Sequence, residues 1–314
     1  MRKLILALSC ALAASCQTTK PAPLPSYELT DLTGAYTAFF DETQGMPRDE
    51  RVAAFKARMD PFFPGFYDPQ RMEGLPPERY DGLIATSFDE FPERRAAYTR
   101  TAAEFQDMLR PALASFTQTF SDFHQIGHIY LLHSVGEMDG GVREVRGHNY
   151  LIFGADVMAR IYDPGEARPF FHHELFHVYH AQFFTDCDAI WCSLWQEGLA
   201  VYASEQLNPG ISDKQMALTI PRPIRPEVEA NRPRAICAVA ALLDSTDHEN
   251  YRRIFFGSAN LEGLPPRVGY YIGYLAAKDS AQTHTLAELA HMNQAQARPV
   301  LDAALRDLAT CPAG

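Results

Sequence analysis

Phe170-Phe171-His172-His173-Glu174-Leu175-Phe176-His177 is the stretch on which the reading of this chain turns. It contains the pattern H-E-x-x-H, running from His173 to His177. On a helix, residues four apart share a face with Cβ atoms about 5–6 Å apart, so both imidazoles can reach one metal ion. Glu174 follows the first histidine directly, too close to join that chelating pair but placed to reach a water on the same ion. With 11 His and 19 Glu in 314 residues, chance would produce the pattern about 0.02 times, which favours chemistry over coincidence.

A hydrolytic zinc site takes three protein ligands and keeps a fourth position open. The candidate third ligand is Glu197, within Trp195-Gln196-Glu197-Gly198-Leu199-Ala200-Val201-Tyr202, a stretch that predicts a second helix starting near Ser193 or Leu194. Together the two segments resemble the gluzincin clan of zinc metallopeptidases, in which two helices carry H-E-x-x-H and a downstream glutamate. The local form, H-E-L-F-H followed by W-Q-E-G-L-A-V-Y, is similar to bacterial predicted zinc-dependent proteases. The resemblance is specific from Gly147 to Glu205, weaker through Tyr274, and does not reach the N-terminal 120 residues.

That resemblance implies His173, His177 and Glu197 as ligands of one Zn2+, Glu174 as general base, and a peptide or protein as substrate. It also implies an edge strand upstream of the zinc helix that binds substrate backbone, a place matched by His148 to Ala155. An oxyanion donor is sought in Gly269-Tyr270-Tyr271-Ile272-Gly273-Tyr274, where Tyr270 and Tyr274 share a helix face. Buried core tyrosines fit the same spacing. Val201 stands where some members place an Asp that orients a ligand, which leaves Asp156, Asp186 and Asp188 as candidates for that task. His172 and His180 fall outside the ligand spacing. A non-catalytic zinc-containing envelope lipoprotein with a binding or structural role is the competing class. It differs in having the fourth zinc position closed by a side chain.

Outward from this segment the periodicity predicts an α+β, predominantly helical chain. Arg48 to Phe63 and Pro92 to Phe120 carry apolar residues at helical intervals, with Pro111 expected to kink or divide the second. Ile126 to Val135 and Val142 to Phe153 predict two strands joined at Asp139-Gly140-Gly141, hence a small antiparallel sheet beside the H-E-x-x-H helix. Helices return from about Ala167.

The N-terminus differs in kind. Arg2 and Lys3 precede an apolar run, Leu4 to Ala14, whose eleven residues are too few to cross a hydrocarbon core of about 30 Å, so residues 1–15 predict a signal peptide. Ala13-Ala14-Ser15 before Cys16 resembles a lipobox, which implies an N-terminal lipid on Cys16 and membrane attachment. An ordinary secretory signal with an incidental cysteine is the alternative, and export follows from both. Gln17 in place of Asp resembles lipoproteins sorted to a Gram-negative outer membrane, facing the periplasm. Pro21, Pro23 and Pro25 make residues 16–28 a tether, and residues 29–314 a single metallopeptidase-like domain.

Net charge is −11, and loss of Arg2 and Lys3 leaves 26 cations against 39 anions, a net of −13. No basic run exceeds Arg94-Arg95, so nucleic acid is not an expected partner. No G-x-S-x-G, P-loop or G-x-G-x-x-G follows a strand. Beyond Cys10 and Cys16 four cysteines remain, which allow three pairings in an oxidising compartment. Cys187–Cys192 would staple a short loop and leave Cys237–Cys311 to hold the C-terminal tail. Free thiols or zinc ligands are the rival reading, without C-x-x-C spacing to support it.

Overall fold

The computed structural model describes residues 23–72, 75–163, 165–185 and 187–311. The signal-peptide segment, Cys16 and most of the tether lie outside the described residues, as does Asp186. The chain begins with β1 (Ser26–Asp31), α1 (Thr33–Glu42), α2 (Arg48–Met59) and α3 (Pro77–Thr119), then β2 (Gln125–Leu132), β3 (Gly140–Val145) and β4 (His148–Gly154). Helices α4 (Ala155–Ile161), α5 (Arg168–His180) and α6 (Ile190–Leu207) follow. They lead to α7 (Arg225–Glu229), α8 (Arg232–Ala240), α9 (His248–Phe255), α10 (Val268–Ser280), α11 (Leu286–Ala290) and α12 (Gln294–Leu308). The class is α+β, as expected. Because β1 begins at Ser26, the body reaches into the stretch read as tether.

The sheet departs from expectation. Its order is β1-β2-β4-β3, with β1 and β4 both parallel to β2 and β3 antiparallel to β4, so it is mixed. The expected single strand from Val142 to Phe153 is two strands, because Arg146 (φ 52°) and Gly147 (φ 80°) form a tight turn in the left-handed region. Two residues with positive φ match the twist of a two-residue hairpin. Asp139-Gly140-Gly141 leads into β3 instead of making that turn. Strand β4 is thereby inserted between β2 and β3, and Leu151, Ile152 and Phe153 are buried, as a strand paired on both sides requires. The stretch expected as the edge strand is therefore the interior strand β4, with Ala155 already in α4, and the edge beside the H-E-x-x-H helix is β3.

Helix α3 also departs. It runs unbroken for 43 residues through Pro92 and Pro111, about 65 Å at 1.5 Å per residue. Each proline removes one backbone hydrogen bond. Buried Phe88 and Phe91 at the first, and Leu109, Ala112 and Leu113 at the second, hold the axis in register. The tertiary burial outweighs the local penalty.

Twelve of the eighteen residues of α6 are buried, as expected of a helix apolar on most of its surface and packed at the centre. It crosses α10 at Gly198 and Gly273. A Cβ at Gly198 would lie 2.2 Å from the Gly273 carbonyl carbon, and one at Gly273 would lie 2.3 Å from the Leu194 oxygen. Only glycine permits this approach, which brings Glu197 beside the N-terminal turn of α10. Disulfides Cys187–Cys192 and Cys237–Cys311 form the expected pairs. The second spans 74 residues and, by the chain-entropy account, stabilises by roughly 4 kcal/mol.

Candidate metal centre

Helix α5 starts with Pro169 in its first turn, where the missing N–H goes unneeded. Phe170, Phe171, Leu175, Phe176 and Tyr179 bury the remainder of its surface. This burial leaves His173 and His177 as the partly exposed face, turned toward α6. Their Nε2 atoms lie 3.1 Å apart, and each lies 3.3 Å from Glu197 Oε2. Ligand atoms about 2.0–2.1 Å from a tetrahedral zinc are about 3.3 Å apart, so the three atoms already hold the spacing of one tetrahedral face. Glu197 Oε2 is buried and makes no directed hydrogen bond. Three lone-pair-bearing atoms converging on one point repel each other unless a cation or shared protons lie between them, which fits a metal ligand set. Among the described residues no other group of His, Cys, Asp or Glu could hold an ion in this way.

Electrostatics agrees with the geometry. Burial opposes ionisation of Glu197, but the two imidazoles outweigh it and hold its carboxyl far below the ordinary carboxylate range. Glu174 is 7% exposed and behaves oppositely. Burial raises its pKa, His173 and His177 counter that in part, and the charges of Asp139 and Glu197 add to the rise. Two neighbouring carboxyls are thus pushed apart, Glu197 toward its anionic form and Glu174 toward its protonated form.

Tyr270 stands in the first turn of α10 with its ring 6.5 Å from that of His173, inclined by 26°. Burial, then the negative charge of Glu197, raise its pKa and keep the hydroxyl protonated, although Arg267 pulls the other way. Tyr274, one turn on, is not brought to the triad. Its hydroxyl donates to Glu205 Oε1 (2.9 Å) and accepts from Lys278 Nζ (2.9 Å), which ties it to the far half of α6. Asp156 does not orient a ligand: it accepts from the N–H groups of Ser134 (2.7 Å) and Gly136 (2.8 Å) and so fixes a turn after β2. Asp188 is exposed.

Comparison with protein-family models, with curated proteins and with solved structures finds no match to this chain.

Two residues of the site were not singled out by sequence. Arg267 caps α10 with φ 59°, a left-handed conformation unusual for a side-chain-bearing residue, of the kind that clusters at functional sites. Its guanidinium lies 4.2 Å over the Tyr270 ring and donates to the Ala217 carbonyl (3.0 Å). Asp139, read as a turn residue, accepts from the Tyr162 hydroxyl (2.7 Å) and acts electrostatically on both Glu174 and Arg267. Proline at 265 and 266 before a helical Gly-Tyr segment was the one local hint of the first. Nothing local marked the second.

His172 and His180 face elsewhere. His180 Nδ1 donates to the Ala290 carbonyl (2.7 Å). His172 Nδ1 meets Asn208 Nδ2 (2.7 Å), while Nε2 meets Ser115 Oγ (2.9 Å) and the Ala112 carbonyl (3.1 Å), a network that assigns the neutral Nε2–H tautomer. Burial pushes its pKa down from 6.5 to about 4. Between those values the unfolded chain binds a proton that the folded chain refuses, so this contribution is whole above pH 6.5 and is lost as pH falls toward 4. The loss amounts to about 3 kcal/mol. Urea unfolding of wild type and His172→Gln at pH 7 and pH 4.5 checks this. Equal losses in the two chains would refute the assignment.

Proposed function

We propose that this chain is a zinc-dependent metallopeptidase that hydrolyses peptide bonds in the cell envelope. The observation that carries the reading is the convergence of His173, His177 and Glu197 at 3.1–3.3 Å with the buried, basic Glu174 one residue from the first ligand. Two nitrogens and one carboxylate oxygen suit zinc, and this 2-His-1-Glu set occurs in hydrolytic zinc sites. No fourth His, Cys, Asp or Glu joins the group among the described residues. That favours an open catalytic position over the closed shell of a structural site.

When bound, zinc supplies Lewis acidity and lowers the pKa of water at its open position toward about 7. Glu174 takes the proton from the attacking water and delivers it to the leaving amine. Its apolar surroundings, which raise its proton affinity, match it to that shuttle. Glu197 stays anionic beside the imidazoles and balances positive charge gathered there. Tyr270 supplies a protonated hydroxyl as donor to the developing oxyanion, with Arg267 stacked over its ring. Edge strand β3, not β4, offers unpaired backbone for substrate alignment. The lipobox-like Cys16 would keep this body at a membrane by an N-terminal lipid, with Pro21, Pro23 and Pro25 as spacer.

Cleavage of a peptide library by wild type beside Glu174→Gln, with metal content measured on both, tests the proposal. Cleavage absent in wild type loaded with zinc would end it. Within this reading, Tyr270→Phe is expected to lower kcat about 100-fold with little change in KM, as removal of one oxyanion donor does. Tyr274→Phe should leave kcat within a factor of about two, because its hydroxyl is bound to Glu205 and Lys278. Steady-state kinetics on a fluorogenic peptide separates the two. Equal losses would remove Tyr270 from the mechanism.

A further inference from the structure

A groove of about 1010 Å³ is separate from the metal centre and shares none of its residues. One wall is a face of α3 from Arg79 to Tyr98, twenty residues whose nineteen steps of 1.5 Å span about 28 Å. The opposite wall comes from α4, from the loop after β2, and from α9 with Phe256 just beyond it. Six arginines line it against three carboxylates, Glu90, Glu137 and Asp156, a formal +3 inside a chain of net −11.

Those carboxylates are occupied. Glu137 is gripped by Arg71, with Arg143 at 3.7 Å. Asp156 is bound to backbone N–H groups and Glu90 faces Arg94 at 3.4 Å. Arg79 and Arg160, from the two walls, have no acidic partner among the described residues and are exposed. Between the cations sit two of the few large apolar side chains this protein exposes, Leu83 (45%) and Phe256 (40%). Cations spaced along a groove with apolar patches between them suit a ligand that presents carboxylates and apolar groups in turn over the same length. A single headgroup does not. Eight extended residues span about 26 Å at 3.3 Å each, which matches the α3 wall.

We propose that this groove binds an extended polypeptide segment in which acidic and apolar side chains alternate. Adjacent residues link the groove to the metal centre, for Phe255 packs edge-on against Tyr270 with ring centroids 6.0 Å apart while Phe256 lines the groove. If the peptidase proposal holds, on which this clause rests, the preferred substrates are acidic polypeptides. The binding itself does not depend on that proposal.

The test is fluorescence anisotropy on the full chain carrying Glu174→Gln, with labelled octapeptides of alternating Glu and Leu, Gln and Leu, or Lys and Leu. The Glu/Leu probe should bind at least tenfold tighter than the Gln/Leu probe at 50 mM salt, and the preference should shrink by 500 mM salt. Arg79→Gln/Arg160→Gln should weaken the Glu/Leu probe about tenfold, while Arg110→Gln/Arg306→Gln, which removes the same charge elsewhere, should leave it within twofold. Equal binding of the Glu/Leu and Gln/Leu probes, or equal effects of the two double variants, overturns the proposal. So does a groove that takes dodecanoate and none of the peptides. Tight Glu/Leu binding with no cleavage by zinc-loaded wild type keeps the groove and removes the peptidase. Cleavage of Gln/Leu as efficient as that of Glu/Leu keeps the peptidase and overturns the preference for acidic substrates.

Discussion

Glu174→Gln is expected to abolish most peptide hydrolysis, a loss of about 10²–10⁴ in kcat, while the chain still binds one zinc with unchanged affinity. Gln keeps the shape and volume of the side chain and has no proton to exchange near neutral pH. The three atoms assigned to the metal belong to His173, His177 and Glu197, so removing the Glu174 charge leaves the ligand set whole. Stability should not fall either. Glu174 is buried and its ionised form is disfavoured by that burial, so an uncharged amide relieves a desolvation penalty. The informative result is a separation of two readouts, activity lost and metal kept. Loss of zinc together with activity would make Glu174 a structural support of the site. Undiminished hydrolysis would remove it from the mechanism.

Gly198→Ala is expected to be a strongly damaging single-methyl change at the crossing of α6 and α10. Its Cβ would fall 2.2 Å from the carbonyl carbon and 2.4 Å from the oxygen of Gly273, both backbone atoms that no rotamer can move. Helices α6 and α10 would have to separate, an overpacking whose effect we place at about 3 kcal/mol or more. In a chain of this size that lowers Tm by roughly 6–10 °C. Because Glu197 precedes Gly198 and Tyr270 lies one turn from Gly273, the same displacement should cut activity in the fraction that stays folded. Gly82→Ala supplies the contrast. It lies inside α3 with nothing within 4 Å of the added carbon, so the usual helix preference for Ala should stabilise by about 0.5–1 kcal/mol. Thermal melts of both variants decide the matter. A Gly198→Ala chain that melts with wild type would mean that the two helices do not cross as described.

What could be read before the structure was set by range along the chain. The H-E-x-x-H pair spans one helical turn, and local geometry alone brings its imidazoles together. Glu197 could be read because a pair of histidines calls for a third ligand and the resemblance to two-helix zinc sites implied a glutamate on the next helix. The cysteines paired as spacing suggested. The failures all involve partners far apart in sequence. Strand β1 is polar-apolar mixed and short, and it becomes a strand by lying parallel to β2, Leu29 opposite Ile129. The Arg146-Gly147 turn lost to the more conspicuous Asp139-Gly140-Gly141 because glycine and aspartate are the stronger local turn signals, while the deciding factor was the insertion of β4 beside β2. Pro92 and Pro111 signal a break that burial of Phe88, Phe91 and Leu113 overrides. Asp139 and Arg267 enter the site from a loop and a helix cap, positions that carry no periodicity.

The measurement that bears most directly on the central claim is zinc K-edge X-ray absorption of the full chain, purified from zinc-supplemented medium, with the metal quantified on the same sample. The account predicts one zinc per chain with four nitrogen or oxygen neighbours at about 2.0–2.1 Å, including the scattering signature of two imidazoles, and no sulfur. Absence of stoichiometric zinc, or a sulfur shell at about 2.3 Å that would place the ion on cysteines, would contradict it.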